Sequence, residues 1–272
     1  MKKRFIVLID FSEYSSDLIK YACDWSKETN AKILLHHQTH AYLPAFAEDD
    51  ARQYIIQQAN DKALEKLKAL AEDLIPDTIE VSYYVSEMDF HQTLPQLLAE
   101  PFENLIFIGL KGTGMLTKLF LGSVALRIIG NTNNTVVAMP KGIDSFSHEK
   151  IFVAVGDKKI LNLQELDIFF KFIDERNTTI TFFHLAKPNE DTSHIKEQLQ
   201  NLAETYAERF TTNIAIYEAN NRVDGIKKVI NNKIDEILIV QKGSRILTDQ
   251  LFRRFLINEL VYEGQTPLIV LP

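Results

Sequence analysis

The chain has 272 residues, 46% of them hydrophobic and 25% charged, with a net charge of −7 and a pI near 5.6. That length suits one large or two ordinary domains of a globular protein. The acidity argues against nucleic acid as a partner, because no basic stripe with interleaved aromatics appears, and the single cysteine, Cys23, excludes a disulfide framework or a Cys-based zinc site.

Taken in order, the chain opens on Met1-Lys2-Lys3-Arg4 and an apolar run of only Phe5 to Ile9. The run is too short for a signal-peptide core or a membrane span, so a cytoplasmic protein with no membrane partner is expected. It suits a central parallel strand buried on both faces. Asp10 follows at the carboxyl end, the edge where open α/β sheets bind ligands. A carboxylate there repels phosphates but accepts hydrogen bonds from ribose hydroxyls; alternatively Asp10 caps the next turn. Ser15 to Thr29 is amphipathic and reads as a helix. Lys32 to His37 reads as a strand, with His36, His37 and His40 near its end. Adjacent strand residues face opposite sides, and no carboxylate or cysteine completes a ligand set, so no metal site is expected.

Asp49 to Leu74 has the apolar spacing of a long helix. Glu80 to Val85 is a strand. Ser86 resembles the cap of a helix running to Glu100, where Pro101 stops it. Leu105 to Ile108 is a short buried strand, Val124 to Ile129 is helix-periodic, and Thr135 to Met139 is a strand. Pro140 to Lys150 is polar and is the best boundary. Beyond it the pattern restarts. Strands are expected at Ile151–Val155, Thr179–His184, Ile214–Tyr217, Ile237–Val240 and Pro267–Leu271. Helices are expected at Leu161–Glu175, Ser193–Phe210, Val223–Asn231 and Leu251–Tyr262. Each half reads βαβαβαβαβ, an alternation that implies a parallel sheet with helices on both faces. The fold class is therefore α/β, with two tandem five-stranded, doubly wound domains over residues 1–143 and 148–272.

The most informative stretch lies between Leu105 and Met139. A strand ends at Gly109, Gly112 follows, and Gly122-Ser123 opens a helix. Glycine lets a ligand approach the main chain without meeting a Cβ. Ser is a good N-cap, and the free N–H groups and positive dipole end of a helix N-terminus hold anions. Lys111 adds charge. The stretch either cradles a phosphate chain or merely turns the backbone. It is not a G-x-x-x-x-G-K-[ST] loop.

The spacing Gly109-x2-Gly112-x9-Gly122-Ser123 resembles, position for position, the nucleotide-binding signature of the universal stress protein family. The resemblance covers nearly the whole chain in its tandem form. It implies a Rossmann-like, adenine nucleotide alpha hydrolase-like fold that binds ATP. It brings Ile9, Asp10, His37, Gly109, Lys111, Gly112, Gly122, Ser123 and Val124 to the nucleotide, with Asp10 against the nucleoside. In the family the residue matching His37 is often small or aliphatic, and its backbone contacts adenine. Mg²⁺ or Mn²⁺ could bridge the phosphates, taking most ligands from nucleotide and water. The last strand of each domain, Thr135–Met139 and Pro267–Leu271, is expected at its sheet's edge. There the two pair across a pseudo-twofold, making an intramolecular pseudo-dimer; a homodimer is the alternative.

The second copy departs from the motif. Asp157 is expected near the Asp10 position, Val240 and Gly243 at the positions of the two loop glycines, and Arg253-Arg254 in place of Gly122-Ser123. That half is expected to be degenerate, or to take a different ligand through Lys242, Arg245, Arg253 or Arg254. No G-x-S-x-G elbow or H-E-x-x-H pair is present, and no group is evident to position a water against ATP. A nucleotide-binding regulatory protein of the stress response is therefore expected, with no catalytic residues. A scaffold of the same fold without nucleotide, or an enzyme acting on an adenylated substrate, are the other readings.

Overall fold

The computed structural model describes residues 1–46, 48–110, 123–156, 160–186, 188–218, 236–243 and 266–272. The first half runs β1 (Lys2–Leu8), α1 (Tyr14–Thr29), β2 (Lys32–Gln38), α2 (Asp49–Leu74), β3 (Val81–Ser86), α3 (Phe90–Leu98), β4 (Phe102–Gly109), α4 (Ser123–Asn131) and β5 (Val136–Met139). The second runs β6 (Lys150–Ala154), α5 (Leu163–Phe170), β7 (Thr179–Ala186), α6 (Ser193–Tyr206), β8 (Thr211–Glu218), β9 (Glu236–Gln241) and β10 (Leu268–Leu271). The helices expected at Val223–Asn231 and Leu251–Tyr262 lie outside the described residues.

The strands form one ten-stranded sheet in the order β3-β2-β1-β4-β5-β10-β9-β6-β7-β8. Every neighbouring pair is parallel except β5 and β10, which meet antiparallel. Each half is therefore a five-stranded parallel sheet with β5 or β10 at its rim, as expected. Val137 lies opposite Ile269. Pairing to β4 and β9 shows these two to be equivalent residues, since Phe107 pairs with Val137 and Ile239 with Ile269. A local twofold therefore passes through this pair, the isologous arrangement of a symmetric dimer built within one chain.

Alternate strand residues face opposite sides, and the core divides accordingly. Phe5, Val7, Phe107, Val137, Ile151, Val153, Phe182, Ile239 and Ile269 pack under α1, α5 and α6. Ile6, Ile106, Ile108, Val136, Leu238, Leu268 and Val270 form the layer on the opposite side, which also takes in Leu94 and Leu97 of α3 and Ala125 and Ile128 of α4. Both layers run unbroken across the β5–β10 seam.

The three-pair ladder between β5 and β10 is short, and Trp25 supports it from α1. Its indole is fully buried. It stacks on Phe146 from the connecting segment (ring centroids 4.4 Å apart, 10° between planes) and meets Phe107 of β4 and Phe169 of α5 edge-on. Its Nε1–H donates to the Phe172 carbonyl at 2.6 Å. This contact lies where α5 ends earlier than its apolar pattern suggests. Phe172 and Ile173 close i→i−3 turns and bury their side chains instead of continuing the helix to Glu175. The connection is also less free than its polar composition implies. Ile143 and Phe146 pack into the core, the Gly142 N–H donates to Asp17, and His148 reaches Glu28 and Thr178. Ser86, expected to cap a helix, ends β3 instead and accepts the Met88 N–H at 3.0 Å, while Asp89 directly precedes α3.

A Trp25→Ala variant should lose about 3–5 kcal/mol of stability in urea titration. The intact protein should unfold in one transition reporting on both halves; two separate transitions would contradict a shared core.

Candidate functional site

In the first half the chain moves from β1 outward to β2 and β3, then returns to place β4 on the other side of β1. The carboxyl ends of β1 and β4 therefore border a topological switch point, where open α/β sheets hold ligands. Leu8 pairs with His36, and Val7 with Phe107. Continuing those registers sets Ile9 level with His37 on one side and Gly109 on the other. The structure thus brings Ile9, Asp10, His37 and Gly109 together at one sheet edge.

Local chemistry shapes that edge. The Ile9 N–H donates to the His36 carbonyl at 2.8 Å, holding the backbone beside β2 for one more residue. Asp10 then leaves the sheet exposed. Its Oδ1 accepts the Ser12 N–H at 2.9 Å and the Ser15 hydroxyl at 3.2 Å. That is the turn-capping role weighed in the sequence, and it occupies one carboxylate oxygen. Oδ2 has no hydrogen-bond partner among the described residues.

Phe11 takes a left-handed conformation, φ 56°, which costs a side-chain-bearing residue roughly 1–2 kcal/mol. The turn sets its ring against His37 at 4.4 Å, with the Lys66 ammonium 5.6 Å from the ring centroid. Neither Phe11 nor Lys66 carried a signal in the sequence: a bulky residue with positive φ has no compositional mark, and Lys66 lies far along α2.

The two adjacent histidines diverge as strand geometry requires. His36 is fully buried. Its Nδ1–H donates to the Tyr84 carbonyl at 3.1 Å and its Nε2 accepts the Thr93 hydroxyl at 2.7 Å. Burial pushes its pKa down to about 4. His37 is half-buried and donates Nδ1–H to the Ile9 carbonyl at 2.7 Å. Burial lowers its pKa too, against the opposing effect of that carbonyl. Among the described residues no group of three or more His, Cys, Asp or Glu is arranged to hold a metal ion.

Gly109 closes β4 opposite Met139, and the Leu110 N–H donates to the Met139 carbonyl at 3.0 Å. Lys111, Gly112 and Gly122 lie outside the described residues. Helix α4 begins at Ser123, so Ser123 is its first residue rather than its flanking cap, and Val124 in the first turn is exposed.

The second half repeats the frame and corrects the sequence-based alignment. The Val155 N–H donates to the Phe183 carbonyl, as Ile9 does to His36. Gly156, not Asp157, therefore matches Asp10. Leu105 and Ile237 occupy the same level relative to Phe5 and Ile151, so Gln241, not Val240, matches Gly109. The same offset of 132 residues relates Val137 to Ile269. Counted along the sequence, it aligns Ser244 with Gly112 and Arg254-Phe255 with Gly122-Ser123, replacing Gly243 and Arg253-Arg254. Arg245, Arg253 and Arg254 lie outside the described residues. Apolar runs alone do not fix a strand's register; its pairing does.

Gln241 stands at the position that matches Gly109. Its side chain is buried, and its Oε1 accepts the Asn162 N–H at 3.0 Å. Asn162 in turn caps α5 by accepting the Glu165 N–H. Lys242 directs its ammonium to the Thr132 carbonyl of the first half at 3.1 Å. One feature is common to both halves: His184 donates Nδ1–H to the Val155 carbonyl at 2.7 Å, as His37 does to Ile9.

Comparison with known proteins bears on this edge directly. The model of the universal stress protein family matches residues 1–140, which contain β1 to β5 and the glycine-spaced loop. The chain belongs to the universal stress protein family. A universal stress protein from Archaeoglobus fulgidus DSM 4304 aligns over 100% of this chain and 99% of its own, with 16% identity and a TM-score of 0.70. A functionally unknown protein from Pseudomonas aeruginosa PAO1 aligns over 99% and 92%, with 16% identity and a TM-score of 0.55. The cytoplasmic domain of a prokaryotic cation chloride cotransporter aligns over 99% and 95%, with 12% identity and a TM-score of 0.53. At these identities the likeness is one of fold, and it extends over both halves of this universal stress protein. No curated protein sequence matches the chain. Among the described residues no helix is long and apolar enough to cross a membrane.

The buried His36 makes stability depend on pH. Its pKa is about 4 in the folded protein, against an ordinary 6.5. Above 6.5 neither state is protonated. As pH falls through that window the unfolded chain takes up a proton that the folded chain refuses, so stability is lost, by roughly 3 kcal/mol in all. Urea midpoints measured at about pH 7.5 and pH 5 should fall less in His36→Gln than in the parent. Equal slopes would contradict the buried neutral ring.

Proposed function

We propose that the chain binds one adenine nucleotide, ATP, at the switch point of its first half and acts as a regulatory protein of the stress response. The observation that carries this reading is the difference between the two sheet edges. Ile9, Asp10, His37 and Gly109 meet at one, with glycine where the loop departs. The buried Gln241 takes the glycine's position at the other. Family membership supports the stress-response role and favours a nucleotide as the ligand.

The division of labour follows from chemistry. The spacing of Gly109, Gly112 and Gly122-Ser123, the amino end of α4 and the Lys111 charge suit the phosphates. Asp10 suits the ribose hydroxyls with its unshared oxygen. Mg²⁺ or Mn²⁺ would neutralise phosphate charge, held largely by nucleotide and water. The role is binding rather than turnover, carried by two units, 1–143 and 148–272, joined as a pseudo-dimer in the cytoplasm. A scaffold without nucleotide is the second reading. It draws on the Asp10 oxygen already committed to Ser12 and Ser15.

Isothermal titration with ATP and Mg²⁺ tests the proposal. One ATP per chain is expected, with binding lost in Gly122→Val/Ser123→Val. No binding would favour the scaffold, and two ATP per chain would contradict the closed second edge.

A further inference from the structure

The sheet closes its two inner rims on each other at β5 and β10, and it ends on two outer ones, β3 and β8. A strand at a rim presents backbone N–H and C=O groups that pair with an extended chain able to reach them. At β3 the hydrogen bonds show which groups those are. The Ile33 N–H donates to the Glu80 carbonyl and the Thr39 N–H to the Ser86 carbonyl, both at 2.9 Å. In this parallel ladder the even-numbered residues of β3 therefore turn their backbone groups inward to β2. Val81, Tyr83 and Val85 turn theirs outward, where they have no hydrogen-bond partner among the described residues.

Rim strands ordinarily carry a device against pairing, such as a charge, a proline or a bulge. β3 reads Val-Ser-Tyr-Tyr-Val-Ser, with neither charge nor proline. Its register to β2 runs unbroken from Val81 to Ser86, so it has no bulge. Leu67, Leu70, Ala71 and Leu74 of α2 share the core layer of Val81, Tyr83 and Val85, yet those three side chains stay only half-buried. The other outer strand, β8, carries a charge at its end, Glu218.

The β3 rim is also complementary to itself. Set antiparallel to a second copy, with Tyr83 opposite Tyr83, it brings Val81 opposite Val85 of that copy. These are the positions whose backbone groups point outward, so each pair exchanges both of its N–H···O bonds. Glu80 falls opposite Ser86 of the second copy and Glu87 opposite Ile79, so no two like charges meet directly. Aromatic and β-branched side chains meet across the join, the pairs that stabilise a sheet. A twofold at Tyr83 closes the assembly at two copies, whereas joining β3 to β8 of another copy would propagate without end. The same kind of contact already joins the two halves, since β5 and β10 pair antiparallel about Val137 and Ile269.

We propose that β3 is an interaction surface for a second copy of this chain, the two sheets running into one through an antiparallel β3–β3 ladder centred on Tyr83. The surface is separate from the β5–β10 seam, which is closed within the chain, and its test involves no nucleotide.

Sedimentation velocity over the micromolar range compares the parent protein with Tyr83→Phe, Tyr83→Lys and Thr212→Lys. The parent should reach twice the 31.2 kDa of the chain and stop there. Tyr83→Lys sets a positive charge directly opposite its own copy and should raise the dissociation constant by about tenfold or more. Tyr83→Phe should stay within about threefold of the parent. Thr212→Lys charges β8, where the Thr211 N–H bonds inward to the Thr178 carbonyl and Thr212 turns outward, and should leave the dimer intact. A parent that stays monomeric, a mass that grows without limit, or a dimer that survives Tyr83→Lys would overturn the proposal. So would a dimer lost in Thr212→Lys. Should Tyr83→Lys fail to fold, hydrogen–deuterium exchange of the parent at low and high protein concentration decides. The amides of Val81, Tyr83 and Val85 should slow with concentration while those of Ser82 and Tyr84, already bonded to β2, do not; no alternation would overturn the β3 ladder.

Discussion

One buried indole joins three separate parts of this chain. Trp25 sits on α1, stacks on the connecting segment through Phe146, and hydrogen-bonds the Phe172 carbonyl of the second half. An indole N–H taken out of water must find an acceptor, and the turn that ends α5 supplies it. The antiparallel β5–β10 ladder is only three residue pairs long. Apolar burial across both faces of the seam therefore does most of the joining. Closure of the two rim strands on each other also removes two exposed sheet edges. The two halves are, in consequence, parts of one sheet rather than units on a flexible tether.

That shared frame explains how a duplicated unit keeps its shape while its two edges diverge. The registers at β1 and β6 correspond residue for residue, and both copies keep the histidine that ties the second strand to the first. Divergence appears at the carboxyl ends of the first and fourth strands of each half. Gly109 is replaced by Gln241, which binds the α5 cap region, and Asp10 by Gly156. A buried side chain that satisfies its own neighbour stabilises the fold at that position. The second half keeps its structural contribution to the seam.

Much of the architecture was legible because it is local. Strands in apolar runs, helices in 3.6-residue periodicity and the glycine spacing after β4 all lie within short windows. The expected bounds of α2, Asp49–Leu74, coincide with those in the structure. Features that depend on distant partners were not legible. Trp25 reads as one more apolar helix residue, and its acceptor lies 147 residues away. The match of Gln241 to Gly109 slipped by one because apolar runs do not mark register; the β6–β9 pairing does. The left-handed Phe11 and its contact with His37 arise from the geometry of the turn after β1, which residue types do not announce. His36 and His37 were correctly separated onto opposite faces by strand alternation alone. Which of them is buried required the packing of Tyr84, Phe90 and Thr93.

The central claim is that one edge of this pseudo-symmetric sheet takes a nucleotide and the other is closed. Hydrogen–deuterium exchange with and without Mg²⁺ and ATP tests it in the intact chain, with both edges read in one experiment. The account predicts slower exchange at Ile9 to Ser12 and His37 to Gln38, and no change at the matching amides of Val155, Gly156 and His184. Protection of equal size at both edges, or confined to the second, would contradict it.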